Sequence, residues 1–75
     1  MQQTTKQLAN QINKSLDDLG VPANMRERSV IFSKMVHIPK QQGWGILEGQ
    51  ILPSDELLEK IAMELEVESK WLLKA

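Results

Sequence analysis

Apolar side chains return along this chain at spacings of three and four, the period of a helix packed on one side, and no hairpin signal, internal repeat or low-complexity run interrupts them. Over residues 5–19 the stripe is Leu8, Ile12, Leu16 and Leu19, and Gly20 stands where a helix C-terminal cap belongs. Asn24, with Glu27 three residues on, resembles a capping box and predicts a second helix reaching Val36. Its buried face is expected to centre on Ile31 and Met35, widened by Val30, Phe32 and Val36. Pro39 suits the first position of a short third helix that runs to about Glu48 and stops at Gly49. Ser54 caps a fourth, with Asp55 and Glu56 against the positive end of its dipole and Leu57, Leu58, Ile61, Ala62 and Leu65 as its apolar stripe. Past a turn at Val67, residues 68–73 supply one or two closing turns that bring Trp71 and Leu72 to the core. Met25, Met35 and Met63, at helical spacings, read as core filling.

Composition narrows the class. A chain of 75 residues buries only ~60% of its unfolded surface, enough for one core and one domain spanning residues 1–75. With 41% hydrophobic and 25% charged residues it reads as a soluble helical unit rather than a disordered tail. No apolar run nears the ~20 residues of a membrane span, and the polar start Met1-Gln2-Gln3-Thr4-Thr5-Lys6 is no signal peptide, so a cytoplasmic protein without a membrane partner is expected. The absence of cysteine and the single His37 exclude a disulfide framework, a thiol nucleophile and the usual zinc spacings. No carboxylate pair has a nucleophile or a glycine-rich phosphate loop to work with. The expectation is a non-enzyme with no metal and no small-molecule cofactor. The net charge of −1 divides into +2 over residues 1–49 and −3 over residues 50–75. That split fits a binding face on the first two-thirds and an acidic remainder in solvent. It permits nucleic acid without arguing for it.

Five short helices, the second and third separated by a turn, carry a more specific pattern. The stretch Ser29-Val30-Ile31-Phe32-Ser33-Lys34-Met35-Val36-His37-Ile38-Pro39-Lys40-Gln41-Gln42-Gly43-Trp44-Gly45-Ile46-Leu47-Glu48 is followed in register by Gly49, Pro53-Ser54, Ile61-Ala62, Leu65, Val67 and Trp71-Leu72-Leu73. On these residues, covering about 8–73, the chain resembles the lambda-repressor-like helix-turn-helix domains of Cro and phage-repressor type. The resemblance implies a compact all-α five-helix fold with the motif at about 29–48. It further implies sequence-specific binding of double-stranded DNA and a role as a transcriptional regulator or repressor. A homodimer on a two-part site is expected on energetic grounds, because one module with so few basic residues would hold a half-site weakly.

Three positions depart from the family's habit. Ser33 stands where alanine is usual, His37 where the turn usually has glycine, and Gly43 where an aliphatic residue or alanine usually faces the crossing. His37 must therefore take a left-handed conformation or the turn must differ. Gly43 and Gly45 each cost a short helix ~1 kcal/mol relative to alanine, so packing or a ligand must hold the third helix. If Ser33 and Gly43 meet at a close crossing, alanine at Gly43 is expected to be tolerated and leucine to overpack it.

Turning the third helix at 100° per residue places Pro39, Gly43, Ile46 and Leu47 inward, Lys40, Gln41, Trp44, Gly45 and Glu48 outward, and Gln42 at the edge. In a major groove glutamine can bond adenine, lysine can reach guanine or a phosphate, and an aromatic ring can meet a thymine methyl. The candidate DNA contacts are Arg28, Ser29, Lys40, Gln41, Gln42, Trp44, Gly45 and Gln50, with Arg26 and Lys34 as further basic residues flanking the motif. Outward polar residues on a short helix are also what plain solvation produces. An outward tryptophan suits a protein partner or self-association as well as DNA, or it packs against the side of the first or second helix. The alternative reading is a degenerate helix-turn-helix acting as a protein-protein interaction module. His37 reads as a structural or surface residue, and Asp17-Asp18 as a solvated face.

Overall fold

The structure is a computed structural model that describes residues 5–73; the rest of the polar N-terminus, together with Lys74 and Ala75, lies outside the described residues. Its elements are α1 (Thr5–Asp18), α2 (Met25–Val36), α3 (Lys40–Leu47), α4 (Asp55–Leu65) and α5 (Ser69–Leu72). No strand occurs among the described residues, and none of their helices is long and apolar enough to cross a membrane.

Each helix stops for a readable reason. At the end of α1 the Val21 N–H donates to the Leu16 carbonyl (3.0 Å) and the Gly20 N–H to that of Asp17 (3.0 Å), with Gly20 at φ 81°. This two-bond pattern needs an apolar residue just past the glycine to fold back, and Val21 does so, packing on the core. Leu19, expected on the stripe, is left in the cap and stays exposed. The Asn24 side chain accepts from the N–H groups of Arg26 (2.9 Å) and Glu27 (3.2 Å) and starts α2. His37 ends it in the left-handed conformation (φ 59°, ψ 51°), while the Ile38 N–H returns to the Ser33 carbonyl (3.0 Å). Ser54 Oγ accepts from the Leu57 N–H (3.2 Å) to open α4, which closes on Glu66 (φ 58°), like His37 a left-handed residue that is not glycine.

One cluster unites the helices: Leu8, Ile12 and Leu16 of α1, Phe32 and Val36 of α2, Ile46 and Leu47 of α3, Leu58, Ile61, Ala62 and Leu65 of α4, and Leu72 of α5. The side of α2 that enters it differs from the expected one. Phe32 and Val36 are buried together with Arg28, Ser29 and Ser33, whereas Ile31 and Met35 are only partly covered. Small residues at 29 and 33 let α3 come close, and that approach turns the helix so that Phe32 points to the centre. Met25 and Met35 pack against the cluster as core filling, but Met63 projects into solvent from the far side of α4.

The approach of α3 is tight. A Cβ placed on Gly43 would overlap Ser33 Oγ, lie 3.3 Å from Ser33 Cβ and 3.5 Å from the Ser29 carbonyl oxygen. The close crossing expected at Ser33 and Gly43 is present, and alanine at Gly43 needs the Ser33 hydroxyl to turn aside. Gly43, Ile46 and Leu47 face inward as expected. Pro39 does not: it is the exposed residue preceding the helix, with an extended ψ of 148° that leaves it outside the first turn.

Candidate functional site

The surface that the sequence singles out is the outer side of α3, and other elements hold it in place. The last carbonyls of this short helix, which no helical N–H can reach, are taken by neighbours. The N–H groups of Gln50 (2.8 Å) and Ile51 (3.2 Å) both donate to the Gly45 carbonyl and Asn13 Nδ2 of α1 donates to that of Leu47 (3.1 Å), while just past the helix Thr5 Oγ1 donates to the Gly49 carbonyl (2.6 Å). At the other end Pro39 carries no side chain that could cap the helix, unlike Asn24 and Ser54 before α2 and α4. The first N–H groups of α3 and the positive end of its dipole therefore sit at the surface beside Lys40 and Gln41.

Of the eight residues expected to form the site, Lys40, Gln41, Trp44 and Gln50 are exposed and Gln42 is half-buried. Lys40, Gln41 and Trp44 line one shallow depression on α3. Gln42 lies round the helix, in a groove with His37, Ile38 and the start of α4. Gln50 follows the helix in the loop that carries Ile51 and Leu52, both exposed. Glu48 is exposed as expected.

Three of the eight are corrected, because their side chains or backbone lie inside. Arg28 is 3% exposed and spends all five guanidinium N–H groups on the end of α1 and the following loop. Nε donates to the Pro22 carbonyl (2.8 Å), Nη1 to the Asn13 carbonyl and Oδ1 (3.2 Å each), and Nη2 to the Val21 carbonyl (2.9 Å) and to Asp17 Oδ1. No donor remains for a ligand. Ser29 is fully buried, its hydroxyl donating to the Arg26 carbonyl (3.1 Å). Gly45, expected to face outward, lies beneath Ile51, whose side chain occupies the volume a Cβ would need. The loop after α3 folds back over that point, which a helix wheel cannot register.

Sequence reasoning passed over one signal. Arg28, Phe32 and Val36 stand four residues apart, so an arginine shares a stripe with two core residues, and Asn13 and Asp17 are themselves one turn apart on α1. The structure moves weight to Arg26, which is exposed and lines a second depression with Glu27, Val30, Ile31 and Lys40. Lys40 borders both depressions, so the outer sides of α2 and α3 form one continuous face: cations at Arg26 and Lys40, a carboxylate at Glu27 beside them, an amide at Gln41, and apolar surface from Val30, Ile31 and Trp44. Such a face can bond a flat polar edge through the amide, attract an anion at two points, and cover carbon with the indole ring. Compared with protein-family models, curated proteins and solved structures, the chain matches none.

Proposed function

We propose that this chain is a sequence-specific DNA-binding domain of lambda-repressor-like helix-turn-helix type, serving a transcriptional regulator, with α2 and α3 as the motif and α3 entering the major groove of duplex DNA. The observation that carries the reading is the exposed row Lys40, Gln41 and Trp44 on a helix whose opposite side, at Gly43, Ile46 and Leu47, is locked into the core. A helix fixed in this way presents its side chains without a backbone ordering cost at binding. Arg26 on α2 and Lys40 on α3 supply phosphate contacts on one face, and the uncapped start of α3 adds backbone donors for a phosphate. Gln41 is the residue assigned to a base edge, with adenine as its partner. Binding as a homodimer to two half-sites compensates for the few cations per module.

A second reading has its own support. Trp44 (38% exposed), Ile51 (40%) and Leu52 (59%) leave apolar surface on and beside α3, as a module for gripping another protein would. Selection from random duplex DNA, followed by mobility shifts on the enriched sequence, decides between them. Under the DNA reading one sequence is enriched, and Gln41→Ala weakens that complex by about 1–3 kcal/mol while leaving binding to unrelated duplex nearly unchanged. Failure to enrich any duplex overturns it in favour of the protein partner.

A further inference from the structure

We propose that Trp44 is a specificity-determining residue that reads the 5-methyl group of a thymine, in the base pair bonded by Gln41 or the next one, so that loss of that one methyl group weakens binding to the preferred half-site. This inference rests on the DNA reading above and goes further, by giving the ring a definite partner.

The depression lined by Lys40, Gln41 and Trp44 is mostly apolar, as an indole ring beside two long side chains with carbon stems would make it. A partner that meets it offers an apolar group. Base edges in the major groove offer nitrogen and oxygen acceptors and amino donors, and a single apolar substituent, the methyl group of thymine. The indole can donate one hydrogen bond and accept none, so the ring is ill suited to bond a base edge in the two-pronged way of Gln41. Trp44 is 38% exposed, enough to offer part of its ring to a ligand while its backbone is held in a helix anchored to the core. Gln41 and Trp44 are three residues apart and neighbours on one side of α3, separated by about 4.5 Å along its axis. Base pairs stack at about 3.4 Å, which matches the two side chains to the same or adjacent pairs.

The test uses the duplex enriched by selection, with its thymines replaced one at a time by uracil. This change removes the methyl group and leaves every hydrogen-bonding atom in place. For the unaltered protein, one replacement in each half-site should weaken binding about three- to fivefold, the burial of one methyl group. The same replacement should have no effect on Trp44→Ala and a reduced effect on Trp44→Phe. The phenylalanine variant keeps an aromatic body and guards against loss of fold, which circular dichroism checks for both. If specific binding is retained but no uracil replacement weakens it, the inference falls and the DNA reading stands. If a replacement weakens the unaltered protein and Trp44→Ala to the same extent, another side chain meets the methyl group and the assignment to Trp44 falls. If no duplex is enriched at all, both readings fall together.

Discussion

The crossing of α2 and α3 can be tested with two substitutions that should each mislead when read alone. Gly43→Ala adds a methyl group that would overlap Ser33 Oγ, with Ser33 Cβ 3.3 Å behind it. Overpacking of this kind costs about 1–3 kcal/mol, and the better helix propensity of alanine returns about 1 kcal/mol. The single variant should therefore lose about 1 kcal/mol. Ser33→Ala removes a buried hydroxyl that has no hydrogen-bond partner, so it should be neutral or stabilising by up to about 1 kcal/mol. In the double variant the overlap is gone, and what remains is the 3.3 Å contact between two methyl-sized carbons, which a shift of a few tenths of an ångström relieves. Gly43→Ala should then be neutral or stabilising in the Ser33→Ala background. The coupling between the sites should reach at least about 1 kcal/mol. Thermal unfolding of the four proteins reads this directly, because 1 kcal/mol moves the midpoint of so small a domain by about 4–8 °C. Additive effects within about 0.5 kcal/mol would refute the close approach, and with it the placement of α3 on which the proposed reading face depends.

Further predictions concern the buried arginine, the turn and the charge. Arg28→Lys keeps the charge but cannot span the acceptors of the Arg28 guanidinium, so it should destabilise the fold by about 2–4 kcal/mol in chemical denaturation. Asp17→Asn should cost less than about 1 kcal/mol, since the Asp17 side chain is 62% exposed; equal losses from the two would mean that the ion pair, not the carbonyl ties, holds Arg28. His37→Gly relieves a left-handed residue and should raise stability by about 0.5–1 kcal/mol; a lowered melting temperature would show that the imidazole makes a contact worth more than the strain. For DNA binding, log affinity should fall with log salt at about −0.9 per neutralised phosphate and about −3 to −5 in total, and affinity indifferent to salt would count against phosphate contacts at Arg26 and Lys40.

Elements whose order is set by local rules were legible in the chain. The Gly20 cap, Asn24 and Ser54 as helix starts, and the Leu58-Ile61-Ala62-Leu65 stripe all lie where the structure has them, because each depends on residues within one or two turns. Properties set by a distant partner were not. Nothing near Gly45 shows that Ile51 will fold over it, and nothing near Arg28 shows that three carbonyls from α1 and the next loop will face it. Glu66 shows the same limit on a smaller scale. An acidic residue is an unusual choice for a left-handed cap, yet the chain turns there because Val67 must come back onto the core, its N–H meeting the Ala62 carbonyl at 3.0 Å. In the candidate site the exposed residues of α3 followed from helical geometry alone. The expectations that failed were for residues chosen only because they flank the motif, or because a bare helix wheel left them outside.

The third helix joins these two kinds of information. With eight residues and glycines at 43 and 45 it is too short and too weak to persist alone. Both glycines sit where a neighbour comes close, the first at Ser33 and the second at Ile51, so the helix gives up intrinsic stability to fit between α2 and the following loop. Its order is therefore borrowed from Thr5, Asn13 and Ile51, none of which lies on the outer face with Lys40, Gln41 and Trp44. Changing Asn13 should loosen the proposed reading face without touching it. A loss of DNA binding after changing Asn13 is consequently a statement about the clamp, and substitutions at Lys40, Gln41 or Trp44 that leave the melting temperature unchanged bear on what the face recognises.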